Sequence, residues 1–505
     1  MRHSTTNGHR GILLIALMVG ILLGSLIVVA LLRSPVSSIG ISLTSAGPCS
    51  FVIEQVGGTP IAHTLTHAGG IPGNDIQGAV SVTMDKFLPQ LIRPLVLNGG
   101  GTLCFTNGEY DYAGPVNIVG HGIFVLSLGY SRNFGDAPTT GPGNNPPYFK
   151  ATAAMNCMLC WGDNGTKQYN GGGIEGIHMD GNGLARYLIN ILSIQDFRAN
   201  HNVFENAWGY EIHAYSAISG GMSNSHFENN LFATLDQVLG GSSGAGGLFL
   251  DYGIAQSWIL NNWVGNAFGK AILIDAFSSQ DHVTGNYIEQ VRTGTAGNAY
   301  DGTAMFIGSG GAIVTDNIVR FADFNCWYGD GLLTLVANNV CQYPNQANNS
   351  FGGCWYLEGN SGSITFTNNN CLDTTSKMKY GFILALGSGA TGIRITGGTI
   401  TGQQVSYFFI GGSVPMATLT ITNVGGFNPQ PDTTVTAGTS PWTYTDLDGY
   451  PELMYLKTIA GISALTCNGQ SGFAIAAGSE CLLYPGETMV VTWAVTAPVF
   501  VKEPE

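Results

Sequence analysis

The sequence predicts an all-β solenoid, a parallel β-helix of stacked coils, and three observations carry that prediction. Short apolar strands recur along the chain, each followed by an asparagine and then two further, mostly apolar residues. No helical periodicity runs between these anchors. Glycine fills 73 of 505 positions while charged residues make up only 10%, a balance that suits tight turns and buried strands better than long surface helices.

The anchors run Asn202-Val203-Phe204, Asn230-Leu231-Phe232, Asn262-Trp263-Val264, Asn286-Tyr287-Ile288, Asn317-Ile318-Val319, Asn339-Val340-Cys341 and Asn370-Cys371-Leu372, with weaker matches at Gly398-Thr399-Ile400 and Asn423-Val424. Irregular spacing within about 20–35 residues, with strands between, marks a solenoid whose insertions fall in one loop. Inward Val, Ile, Leu and Phe would stack into a continuous core, and the asparagines would stack as a ladder at one turn.

Two stretches carry a family resemblance. An expected capping helix (about Val82 to Leu97) leads into GGGTLCFTNGEYDYAGPVNI (Gly99 to Ile118), and GGIEGIHMDGNG follows at Gly172 to Gly183. Residues 75–430 thereby resemble the pectin-lyase-like proteins, which implies a right-handed parallel β-helix and says little about activity. The polygalacturonase-type motifs are missing: the Gly-His-Gly at Gly120-His121-Gly122 falls too early and stands alone. The arginine-rich motif of pectate lyases is missing too.

Around that body the chain divides into a tip and apolar segment at 1–33, a Gly/Ser/Thr/Pro-rich stalk at 34–75, the β-helix at 76–432 and a C-terminal β-module at 433–505. Arg2 and Arg10 precede an uncharged run from Gly11 to Leu32, closed by Arg33. That run exceeds a signal-peptide core and matches a bilayer span. The expectation is a signal-anchor with the body extracytoplasmic, at the cell surface or in the periplasm; cleavage near Ser37, Ser38 or Gly40 would instead release a secreted protein. The segments at Ser440–Leu456 and Tyr484–Val501 read as antiparallel strands and resemble a module found on some β-helix and phage-tail-like proteins. It would cap the open end of the solenoid or support a homo-oligomer.

Ten cysteines in an exported chain suggest disulfides, with Cys467 and Cys481 placed to staple the C-terminal module. Cys157/Cys160 and His63/His67 read as structural pairs. The net charge of −14, with no run of Lys or Arg beyond residue 33, argues against nucleic acid as a partner.

Chemistry is expected where a second strand recurs: Leu248–Asp251, Ile272–Asp275, Met305–Gly308, Trp355–Glu358 and Phe408–Gly411. Asp251 and Asp275 each stand 11 residues before an anchor, so on adjacent coils they should lie about 4.8 Å apart. Tyr210–His213 is the matching segment one coil earlier, which brings His213 beside the pair. Stacked carboxylates disfavour double ionisation, so they serve as an acid–base pair or share a calcium ion. Lys270 and His282 are the nearest basic residues in sequence, and Tyr252 and Trp208 offer sugar-stacking faces beside Tyr210 and Tyr215. Glycine at the equivalent Gly308 and Gly411 argues instead for turn formers. Asp281-His282 and Asp180 read as turn residues.

These features together predict a membrane-anchored surface protein that binds a cell-surface glycan or polysaccharide, or has a structural or adhesive role. The alternatives are a polysaccharide lyase or glycoside hydrolase using Asp251, Asp275 and His213, and a phage-tail-like fibre.

Overall fold

The computed structural model describes residues 49–64, 76–79, 81–128, 146–163, 167–218, 221–233, 246–275, 278–293, 301–329, 334–359, 362–387, 389–412, 419–427, 432–447, 451–458, 461–471, 475–484 and 486–504. Three long sheets dominate. The first has 15 strands and ends at Leu419–Thr422; the second has 11, from Glu109–Tyr112 to Thr399–Thr401; the third has 11, from Val116–Ile118 to Ser406–Gly412. Coil after coil, the chain visits the first, second and third sheet in turn, and each strand pairs in parallel with its counterpart one coil on. The fold is a right-handed parallel β-helix.

The helix Met84–Leu97 precedes the first complete coil and buries Phe87, Leu88, Leu91 and Leu95. The first sheet reaches back to Phe51–Val56, within the segment whose composition suggests a stalk. Phe51 and Ile53 are buried, and Phe51 pairs in parallel with Leu103. A Cys49–Cys104 disulfide ties the same two strands. The proposed span at 11–32 lies outside the described residues, among which no helix is long and apolar enough to cross a membrane.

The asparagine ladder sits between the first and second sheets. Asn202, Asn230, Asn262, Asn286, Asn317, Asn339 and Asn369 are each at most 4% exposed. The Nδ2 of each of the first six donates to the Oδ1 of the next coil's asparagine at 2.9–3.0 Å. The preceding residue adopts a left-handed conformation, with φ of 52–58° at His201, Asn229, Asn261, Asp316, Asn338 and Asn368 and 69° at Gly285. Asparagine tolerates that region and glycine enters it freely, which explains the repeated Asn-Asn pairs. The ladder corrects two anchors by one residue: Asn369, not Asn370, is the last rung, and Asn423 holds the left-handed place before Val424.

All described cysteines are in disulfides. Cys326–Cys341 and Cys354–Cys371 cross the solenoid core on adjacent coils, joining the third-sheet side to the second sheet. Cys157 bonds Cys160. In the C-terminal module two four-stranded antiparallel sheets enclose Met454, Leu456, Leu483, Met489, Val491 and Phe500, and Cys467–Cys481 closes it as expected.

Candidate functional site

The outer face of the third sheet gathers the chemistry. Along each of its strands alternate residues enter the core: Leu248 and Leu250 on one coil, Ile272 and Ile274 on the next, Met305 and Ile307 after that. The residues between them must face outward. Register aligns Cys160, Asn190, His213, Phe249, Leu273, Phe306, Tyr328 and Tyr356 into one outward file.

Asp251 and Asp275 follow immediately on adjacent coils, as expected. Their backbone amides continue the ladder, Asp251 N donating to Ala214 O at 2.8 Å and Asp275 N to Leu250 O at 2.9 Å. His213 is two places out of the expected column. It pairs with Phe249, and Tyr215 holds the place beside Asp251. The strand Tyr210–Tyr215 runs two residues further than the Tyr210–His213 alignment allows. His213 nevertheless reaches the pair across the pleat, with Nε2 3.3 Å from Asp251 Oδ2.

His213 is clamped on all sides. Nδ1 lies 2.7 Å from Asn190 Oδ1, and the Tyr187 ring stacks on the imidazole at 4.6 Å and 16°. The side chains of His213 and Asp251 are 13% and 27% exposed, so both stay reachable from solvent. Burial would raise the Asp251 carboxyl, but the hydrogen bond and charge of His213, the Tyr252 N–H and the Asp275 carboxyl outweigh it and hold it below its ordinary value. A clamped imidazole beside an ionised carboxylate can pass a proton or grip a hydroxyl. Asp251 and Asp275 occupy the same place on adjacent coils, one strand step of ~4.8 Å apart, close to the ~5 Å that separates the two carboxyl groups of a retaining glycosidase. The pair fits hydroxyl recognition or proton transfer.

Of the other expected contacts, Tyr252 lies beside Asp251 and is 36% exposed, with its ring 6.4 Å from Tyr215. Trp208 packs against the Arg186 guanidinium at 5.5 Å, and Arg186 also covers Tyr187 at 5.0 Å. Lys270 is ion-paired with buried Asp301 at 3.1 Å. Its Nζ also lies 5.7 Å from the Phe306 ring centroid, on the outer file itself. His282 belongs to another face altogether: it lies on the first sheet, stacked on Trp258 at 5.6 Å. Nearness in sequence misled there, because a half-coil carries the chain to a different sheet.

A calcium ion at Asp251 and Asp275 would need oxygens beyond these two carboxylates. Calcium takes six to eight oxygens. Among the described residues the only trio of His, Cys, Asp or Glu whose donor atoms converge is Cys326, Cys341 and Cys354, all in disulfides. Asp180 and Asp281 are structural, as expected. Asp180 accepts from Tyr148 Oη, Asn182 N and Asn206 Nδ2 at 2.5, 2.7 and 2.9 Å. Asp281 is fully buried and accepts from Ser257 N and Ser309 Oγ, and burial pushes its carboxyl up to about 7.

The sequence did not single out Asn190, Tyr187 or Arg186. All three lie on the strand Ala185–Leu192, one coil before the expected cluster and without an asparagine anchor of their own.

No family model matches the chain, and no curated protein does. Solved structures with a similar winding include the AlgE4 A-module of an Azotobacter vinelandii mannuronan C-5 epimerase (13% identity, 69% of this chain, 95% of that one, TM-score 0.35). Another is a protein of Geobacillus virus E2 (9% identity, 87% and 86%, TM-score 0.39). A third is a mutant tailspike protein of E. coli bacteriophage HK620 in complex with a pentasaccharide (13% identity, 85% and 91%, TM-score 0.39). Similarity this slight transfers neither residues nor activity; the fold stands on the strand pairings above.

Proposed function

We propose that this protein binds a polysaccharide lengthwise on the outer face of its third sheet. The observation that carries the reading is the outward file of rings and carboxylates. His213, Phe249, Leu273, Phe306, Tyr328 and Tyr356 succeed one another coil by coil, four aromatic rings and an imidazole interrupted by one leucine, flanked by Asp251, Asp275 and Glu358. Phe306, Tyr328 and Tyr356 stack on one another at 4.4 and 5.4 Å and so present apolar edges, and apolar rings beside hydrogen-bond acceptors match a sugar's C–H groups and hydroxyls. The apolar run at 11–32 would tether the body outside the membrane, and the C-terminal module would cap or oligomerise it.

A second reading is favoured by one contact set. His213 and Asp251 form a hydrogen-bonded pair of proton-exchanging groups beside Asp275, oriented by the Asn190 amide oxygen, which suits an enzyme that moves protons on a glycan. A phage-tail-like fibre has no such specific contact in its favour.

The test is a glycan array probed with the full-length chain, with and without calcium, followed by product analysis of each hit. Binding without products supports the surface-receptor reading. Modified or cleaved products would establish the second, and His213→Gln should then abolish them. No binding to any glycan would overturn both.

A further inference from the structure

We propose a second sugar subsite at the C-terminal end of the same face, built by Phe351, Tyr380 and Phe409, so that the protein reads the length of its ligand; this rests on the glycan-binding reading above. Phe351 is 44% exposed, an unusual state for a phenyl ring in this molecule. It meets Phe409 edge-on at 5.2 Å and Tyr380 at 6.4 Å, and Tyr380 meets Phe409 at 5.2 Å. Phe409 belongs to the outward file of the third sheet, two coils beyond Tyr356. Ile383, which stands between Tyr356 and Phe409 in the file, is buried, so the three rings form a separate patch further along the same sheet as His213.

The ring is displayed on a braced loop. Asn345 is fully buried, and its Nδ2 donates to Asn349 O and Lys377 O at 2.9 and 2.8 Å. Its Oδ1 accepts from Asn349 N at 2.7 Å. A Cβ on Gly352 would sit 2.0 Å from the Asn345 side chain, so the loop closes tightly just after Phe351. An exposed aromatic held this way is preorganised, which lowers the entropic cost of binding. Polar side chains neighbour the rings in sequence: Lys379, next to Tyr380, donates from Nζ to Gln404 Oε1, and Lys377 Nζ donates to Gln346 O on the loop that ends at Phe351.

Spacing gives the length rule. The strand bearing Asp251 and the strand that begins at Tyr380 are five third-sheet steps apart, about 24 Å at ~4.8 Å per step. One sugar residue is close to one step in length, so a chain touching both ends needs roughly five to six units. Shorter fragments reach one end or the other.

The experiment is a titration of the full-length protein with size-fractionated oligosaccharides from polygalacturonate, alginate, dextran, xylan and bacterial O-antigen. Affinity should climb steeply between about four and about eight units and then level off. Phe351→Ala and Tyr380→Ala should each weaken the long fractions about tenfold and reduce fractions of four units or fewer by no more than about twofold, the share that occupies the C-terminal end, whereas Phe351→Tyr keeps the stacking face and the affinity. A length dependence that is flat, or that survives both alanine variants, overturns the second subsite while leaving the groove intact. A variant that changes only the oligomeric state makes the patch a contact between copies and also overturns it. Failure of every fraction to bind overturns the glycan reading itself.

Discussion

The asparagine turn and the outer face of the third sheet repeat with the same coil, yet they are built on opposite principles. At the turn, chemistry is constant and closed. Seven amides occupy the same place, each buried and each spent on its neighbours. On the outer face the place is constant and the chemistry changes. One file passes from Asn190 through His213 to Phe249, Leu273 and Phe306. Uniform residues mark what holds the coils together; variation within a fixed geometry marks what the coils present. The buried Asp281 and the outward Asp251 make the same contrast in one residue type, and it can be tested from both sides.

The largest effect is expected at Asp281. Its folded carboxyl is raised to about 7 by burial, against an ordinary value of 3.8. Its stabilisation is therefore complete below about pH 4 and is lost as pH rises through about 7, roughly 4 kcal/mol in all. Glu211, buried with its carboxyl also raised, adds to the same trend. Denaturant unfolding of the wild type should weaken between pH 5 and pH 8. Asp281→Asn, whose amide still accepts from Ser257 N and can donate to Ser309 Oγ, should flatten part of that slope and be the more stable protein at pH 8. An unchanged slope would mean that Asp281 is not sealed in the turn.

The next effect breaks the turn itself. Asn286 Nδ2 donates to Asn317 Oδ1 and Ile259 O, while its Oδ1 accepts from the backbone and side-chain amides of Asn262. Asn286→Ala leaves buried polar groups unmatched on both sides and should cost about 3 kcal/mol. The Cys326–Cys341 bond, closing 15 residues of chain, should contribute a similar amount, about 3 kcal/mol, seen as a lower Tm in the paired Cys→Ala variant. Either change falling within ~0.5 kcal/mol of wild type would deny the turn and the core their structural rank.

How much of this was legible follows the same division. The anchors at Asn202, Asn230, Asn262, Asn286, Asn317 and Asn339 are ladder rungs because a constant chemistry leaves a constant letter. The run Asn368-Asn369-Asn370 hid the last rung, since three identical letters cannot say which one turns inward. The Asp251–Asp275 adjacency was legible because both follow two inward apolar residues on identical short strands. His213 was brought to the right neighbourhood but the wrong file, since the longer strand Tyr210–Tyr215 shifts the count by two. Asn190 and Arg186 were invisible: they lie on a coil whose turn holds Ile177, the residue whose N–H the Asn202 side chain accepts, so no asparagine marks it. His282 shows the converse failure, where 31 residues of separation from Asp251 conceal a change of sheet.

The smallest effect on stability is expected where the effect on binding is greatest. Asp251→Asn keeps an oxygen for the Tyr252 N–H, which Oδ1 accepts at 2.8 Å, and removes only the charge that faces His213. Exposed or half-exposed ion pairs contribute little, so Tm should move by no more than the equivalent of ~0.5 kcal/mol. Glycan affinity, or turnover if the second reading holds, should fall at least about tenfold, because the carboxylate is the strongest acceptor on the face and sets the orientation of the imidazole. Asp275→Asn should behave alike. A variant that melts early while binding normally would place these carboxylates with Asp281 among the turn residues, and the distinction between closed and presented chemistry would then lie elsewhere on the third sheet, at the aromatic file alone.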